Sequence, residues 1–372
     1  MICWNGFLFF LYNAPMDSQA KDFLFTLLKT PSPTGFESAG QKVWLKEVAK
    51  YADETANDAY GSAWGILKGG SKKTLMLEAH CDEIGYMVKH LLPGGFLAID
   101  LIGGSDAATA RGRRVTIFGE KGEVQGIIGN IAIHIRERKE EKAPEVHDLI
   151  VDIGAKNEKE VAAMGVRVGC PMVYSETVSE LGKNGIIARA LDNRLGGFII
   201  AEVMKNLSQG KKPAWNVVAL NAVQEEIGCY GARMATYRLS PDAAIAFDVT
   251  HATDTPGIKN EKHGKVELRK GPTVTHGGCN HPNIVERLTD VAKKKKIPFQ
   301  HEAASRFSGT DTGVIYLTKE GIPSALVSLP LRYMHSAVET VDIRDVEQTI
   351  LLLTGFVQSL TVKDEFGMKI VV

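Results

Sequence analysis

The chain carries no excess of either charge: 44 Lys and Arg stand against 44 Asp and Glu among 372 residues. No global electrostatic field is available to gather nucleic acid or to hold an anionic membrane surface. The five cysteines, at positions 3, 81, 170, 229 and 279, are odd in number and form no CxxC pair. That argues against a disulfide framework and a thiolate zinc site, and it fits a reducing cytoplasm. No apolar run is long enough to span a bilayer. The nearest, Ile2–Tyr12, has neither a basic flank nor a small-residue cleavage site. Residues 1–15 read as an extra segment, as a start assigned too far upstream would leave, with Met16 opening a normal amphipathic pattern; a targeting segment is the other reading. The one basic block, Lys293 to Lys296, reads as the solvated end of a helix. Internal repeats and low-complexity stretches are also missing.

What is present suits a soluble globular protein, with 44 % apolar and 24 % charged residues. The length exceeds one ordinary core and accommodates two domains. Helical spacing of apolar residues runs over 17–30 and 39–52, separated by the loop TPSPTGFES. Thr74 to Ala79 is a short apolar run of buried-strand type. From Gly85 to Tyr174 short strand-like runs alternate with glycine turns, broken by the charged surface loop 137–148. Beyond residue 185, strands are expected at 215–223, 243–247 and 323–329, and helices at 191–207, 231–239, 283–296 and 344–360. Such alternation predicts an α/β fold with a largely parallel sheet. The β-rich unit, 85–174, is therefore an insert in an α/β domain formed by 16–84 and 175–372.

Five metal-ligand candidates punctuate the α/β part. His80, Glu226, Asp248 and His335 each follow a predicted strand, at the sheet edge where sites form in open α/β folds. Asp192 heads the helix after the insert and can point into the same crevice. Taken singly, each has a plain structural explanation: a hydrogen-bonded histidine, a solvated glutamate, an N-cap aspartate. Together they bring five polar groups to one edge with apolar flanks, where unpaired carboxylates are costly and a pair of divalent cations offsets that cost. Imidazole and carboxylate without thiolate suit zinc, cobalt or manganese. Two neighbouring cations need one bridging carboxylate. Asp82, two residues from His80, can accept the other ring N–H of that histidine. Glu225 is a spare carboxylate beside a ligand, placed to take a proton from water.

The segments AHCDEIGYMV (79–88), VDIGAKNEKEVAAMGVRVG (151–169), ARALDNRLGG (188–197), AVQEEIGCYGA (222–232), FDVTHATDTPG (247–257), SGTDTG (308–313) and RYMHSAVETVDIRDVE (332–347) resemble the tetrahedral (TET) or glutamyl aminopeptidases, metallopeptidase family forty-two of clan MH. They span nearly the whole chain after about residue 20, in the family's order. The resemblance implies a three-layer aminopeptidase domain with an inserted, barrel-like dimerisation domain. It implies that His80 and Asp248 bind one metal, Glu226 and His335 the other, and that Asp192 bridges them. Glu225 becomes the general base and Asp82 the residue behind His80. The chain departs from many relatives at Asn193, where a second acid is usual, and at Cys81, where Met is common; a buried thiol is preferred there over a further ligand. HGGCNHPN (276–283) departs most, and His276 and His281 read as rim or loop residues.

The implied activity is hydrolysis of N-terminal residues from peptides with a free N-terminus, using two divalent metals of zinc, cobalt or manganese type. The implied assembly is a homo-oligomer built from dimers and reaching dodecamers in this family, with neither nucleic acid nor membrane as partner. Another two-metal hydrolase on the same scaffold, such as an N-deacylase or carboxypeptidase, stays open, as does a non-catalytic binding protein. By resemblance Gly309, Thr310 and Asp311 adjoin the first side-chain pocket. If Asp311 faces that pocket, neutral or basic residues are favoured; if it caps a helix, an acidic residue is admitted. Arg332 is a second candidate for holding substrate. On balance neutral or apolar N-terminal residues are expected.

Overall fold

The computed structural model describes residues 16–136, 142–306 and 308–370. The expectation for residues 1–15, and the first part of the charged loop, lie outside the described residues.

Six helices of ten or more residues are described: α1 (Ser18–Lys29), α2 (Ser38–Val48), α3 (Leu191–Ser208), α4 (Tyr230–Leu239), α5 (Pro282–Lys295) and α6 (Ile343–Ser359). The strands are β1 (Glu54–Asn57), β2 (Ala63–Leu67), β3 (Thr74–His80), β4 (Gly85–Leu91), β5 (Leu97–Ile102), β6 (Arg114–Gly119), β7 (Gly122–Ile128), β8 (Ile150–Asp152), β9 (Pro171–Tyr174), β10 (Ser179–Leu181), β11 (Gly185–Ala188), β12 (Asn216–Ala222), β13 (Ala243–His251), β14 (Thr273–Gly277), β15 (Gln300–Ala304), β16 (Ser324–Leu331) and β17 (Glu339–Asp342). Eight of them form one sheet in the order β1-β2-β12-β3-β13-β16-β14-β15. Its centre, β12-β3-β13-β16, is parallel, while β2 and β14 join antiparallel. Strands β4 to β9 close a separate antiparallel barrel in the order β4-β5-β8-β7-β6-β9. A small sheet, β10-β11-β17, lies beside them.

Side-chain alternation explains the layers. Leu75, Leu77, Val217, Ala219, Ile245, Phe247, Ala325 and Val327 point to one face and pack with α1, α2, α3, α5 and α6. Met76, Val218, Leu220, Ala244, Ala246 and Leu326 point to the other and meet Ala232 and Ala235 of α4. The barrel has its own core around Tyr86, Val115, Ile117, Val151 and Met172. No helix among the described residues is long and apolar enough to cross a membrane.

Two expectations need correction. Strand β13 does not end at Phe247; it continues to His251 because β16 pairs with it through Leu331. Asp248 is therefore a residue within the strand. The helix expected over 39–52 stops at Val48, and the next residues tighten into turns with Lys50 bonded back to Glu47 and Tyr51 to Val48. The basic block behaves as read: Lys293, Lys294 and Lys295 form the last turn of α5 and Lys296 caps it.

Candidate metal centre

In the parallel pair β3–β13 the register sets Ala246 beside Glu78. Two residues further, on the same face, it brings Asp248 beside His80. The His80 Nε2 atom lies 3.6 Å from Asp248 Oδ1 and 3.2 Å from Asp192 Oδ1. Asp192 reaches the edge from the first turn of α3, which departs from helical geometry at Asp192 and Asn193. Asn193, the departure noted in the sequence, accepts from the Gly196 N–H and donates to the Phe247 carbonyl. It ties the helix start to β13 and leaves the Asp192 side chain to the crevice. The other oxygen, Asp192 Oδ2, lies 3.3 Å from His335 Nε2, which is 3.5 Å from Glu226 Oε2.

Two donor triads result, His80–Asp192–Asp248 and Asp192–Glu226–His335, sharing Asp192 alone. Asp82 organises the loops that carry them. Its carboxylate accepts the backbone N–H groups of Glu225 (3.0 Å) and Glu226 (3.2 Å) and the Thr34 hydroxyl (2.8 Å). Its Oδ1 also lies 3.3 Å from His80 Nδ1. Behind it, buried Glu83 pairs with Arg189 and with Arg194 (2.8 Å), and Arg194 donates to the Cys81 carbonyl. Cys81 is buried and belongs to neither triad.

The donor chemistry fits divalent cations. The Gly104 carbonyl, 3.0 Å from His335 Nδ1, can only accept, so that nitrogen carries the proton. Neutral His335 then turns its Nε2 lone pair toward the oxygens of Asp192 and Glu226, the form that could hold a cation there. With no cation the ring is drawn to gain a second proton, since against the downward pull of burial Asp192 raises its pKa. Glu226 Oε1 is buried with no hydrogen-bond partner among the described residues. Gly104 is required at its place, since a Cβ there would lie 2.7 Å from His335 Nδ1. Electrostatics points the same way. Burial, reinforced by Asp248, Asp311 and Asp192, pushes Glu225 up to about 9. Burial and Asp192 push Glu226 well up. For Asp192, burial acts upward, but the two histidines outweigh it and hold the carboxyl below its usual range.

A cavity of about 820 Å³ opens over these groups, walled by Asp192, Glu225, Glu226, Asp248 and His335, by Val249 to His251, Glu302 to Ala304 and Ser308 to Thr310. Gly309 and Thr310 are thus in the wall. Asp311 is buried beneath it, clustered with Glu225 and Cys229, and makes no side-chain cap; the expected helix start is only Thr312–Ile315. Burial raises Asp311 to about 6. Arg332 is not in the wall. Its guanidinium is taken by Asp254, with contacts of 2.8 and 2.6 Å, so the substrate role expected of it is not what its contacts serve. His276 leans on His301 in the β14–β15 pair and His281 precedes α5, both outside the cavity wall.

Sequence reasoning missed three groups. Glu78, fully buried under the site, was read only as part of an apolar strand. Glu339 accepts the backbone N–H of Asp192 (3.1 Å) and of His335 (2.8 Å), gripping the main chain at both residues. Glu302 carried no signal, because its strand was not recognised. Period-two spacing from Met76 through Glu78 to His80 was the one available clue for Glu78.

A family model described as M42 glutamyl aminopeptidase matches residues 61–352. The lysyl aminopeptidase of Pyrococcus furiosus is 34 % identical over 343 residues, covering 91 % of this chain and 96 % of the relative. Among solved structures, an aminopeptidase from the archaeon Desulfurococcus kamchatkensis is 34 % identical with a TM-score of 0.87, covering 93 % of this chain and 96 % of that one. The TET1 peptidase of Pyrococcus horikoshii, described as assembling into a tetrahedron or a large octahedral shell, is 26 % identical with a TM-score of 0.81, covering 92 % and 100 %.

Proposed function

Because the chain belongs to the M42 glutamyl aminopeptidase family, and so is a metal-dependent peptide hydrolase, we propose that it removes N-terminal residues with two divalent cations and Glu225 as the proton carrier. The observation that carries this reading is the sharing of one carboxylate, Asp192, between two complete donor triads. His80 and Asp248 would hold one cation, Glu226 and His335 the other, and Asp192 both. Such cations, of zinc, cobalt or manganese type, supply Lewis acidity toward a carbonyl and acidify water at neutral pH. Glu225 Oε2 stands 3.9 Å from His80 Nε2, beside the donors. It takes the proton of the attacking water and returns it to the leaving amine. Asp82 keeps Glu225 and Glu226 in register through their backbone N–H groups. Gly309 and Thr310 flank the substrate's first residue.

The test is a panel of aminoacyl-p-nitroanilides and their N-acetylated counterparts, given to protein stripped of metal and reloaded with zinc, cobalt or manganese. Hydrolysis of the free-amine substrates should appear only after reloading. Equal cleavage of the acetylated series, or undiminished activity in the stripped protein, would refute the aminopeptidase reading.

Homo-oligomerisation through the barrel belongs to the same proposal. Support comes from the tetrahedral shell described for the Pyrococcus horikoshii relative and from the exposed Ile127, Ile131, Ile133 and Ile135 at the end of β7 and beyond it. The dimer is the expected unit, with dodecamers above it. Light scattering at micromolar concentration should give at least twice the chain mass; a monomer there counts against it.

A further inference from the structure

The wall of the cavity holds one carboxylate that the catalytic reading leaves unused. Glu302 sits on β15, and among the described residues its hydrogen-bond partners are three threonine hydroxyls. Thr250 donates to Oε1, and Thr273 (2.8 Å) and Thr275 (3.1 Å) donate to Oε2. Hydroxyls are neutral, so they orient the carboxylate without offsetting a charge. No cationic side chain pairs with it among the described residues, and no lysine or arginine stands in the described wall. The other acids there have a use: Asp192, Glu226 and Asp248 are donors to cations and Glu225 moves a proton. Glu302 has no such claim on it.

Its distance from the reacting centre follows from the strand. Thr250 is two residues beyond Asp248 on the same face of β13, roughly 6.6 Å along it, and its hydroxyl touches Glu302. The neighbours Ala303, Ala304 and Gly309 are small and leave room for a long side chain. A lysine or arginine at the first residue spans that interval with its aliphatic stem and ends on the carboxylate; a leucine stops short, and a glutamate meets like charge.

Resting on the aminopeptidase reading, we propose that Glu302 is a specificity-determining residue, which selects peptides beginning with lysine or arginine. This departs from the neutral or apolar preference expected from sequence, where Glu302 was not considered.

Two measurements on metal-loaded wild type and Glu302→Gln decide it. The glutamine keeps the size, and threonine hydroxyls can turn to donate or accept, so the wall is retained. In the first, calorimetry compares L-lysine with L-norleucine, which lacks only the terminal ammonium. Wild type should bind lysine at least tenfold more tightly, and Glu302→Gln should erase the difference. Equal binding of the two by wild type, or an unchanged ratio in the variant, overturns the proposal whether or not peptides are hydrolysed. In the second, kcat/KM is measured for lysyl, arginyl, leucyl and glutamyl p-nitroanilides. Lysyl and arginyl substrates should lead, and Glu302→Gln should lower them at least tenfold, mostly through KM, with leucyl turnover within threefold. A parallel fall of lysyl and leucyl rates would show a merely structural role and reject it. Failure of every substrate, with the binding difference intact, would refute the aminopeptidase reading alone.

Discussion

Asp192→Ala is expected to lose both cations together. Its two oxygens face different histidines, His80 Nε2 at 3.2 Å and His335 Nε2 at 3.3 Å, and both triads fail without it. Removing only an outer partner of a metal ligand costs about 10–100-fold in affinity. The shared ligand should exceed about 100-fold at both sites. Elemental analysis after dialysis should find little metal in Asp192→Ala, whereas His80→Ala or Asp248→Ala should weaken one site and spare the other. Full occupancy of two cations in Asp192→Ala would end the bridging assignment. Circular dichroism distinguishes this from unfolding, since Asn193, not Asp192, ties the start of α3 to β13 through its side chain.

Glu225→Gln is expected to behave oppositely: metal retained, turnover lost. The donors of the two triads do not include Glu225, and the backbone N–H that anchors it to Asp82 survives the change. An amide cannot take the proton of water, so kcat should fall on the order of 10²–10⁴-fold with KM little altered. Metal content measured on the same sample separates this outcome from the first. Near-normal turnover with normal metal content would remove Glu225 from the mechanism.

Much of this was legible before any coordinates. His80 closes an apolar run broken only by Glu78, and strand–helix alternation set which sheet edge that run reaches. The switch from helical periodicity to short runs with glycine turns marked the stretch that folds as the barrel. Legibility failed where burial is decided by distant partners. The acid Asp248 reads as the end of a strand, yet β16 carries β13 on to His251. Strands β14 and β15 contain Thr, His, Glu and Gln, and only their position beside β16 makes them strands. Arg332 looked free to hold a substrate because its partner, Asp254, is 78 residues away in sequence. Asp311 looked like a cap because the sequence does not reveal that the following helix has four residues.

The contact between His335 and Gly104 joins two parts of the chain with different tasks. Gly104 lies between β5 and β6, in the segment that builds the barrel, and its carbonyl orients His335 of the candidate metal centre. Gly103 beside it packs against Glu226, so that a Cβ on Gly103 would lie 3.0 Å from the Cβ of that glutamate. The barrel is accordingly no detachable handle. Excising it to obtain a smaller enzyme would strip the contacts of Gly103 and Gly104 from one side of that donor triad.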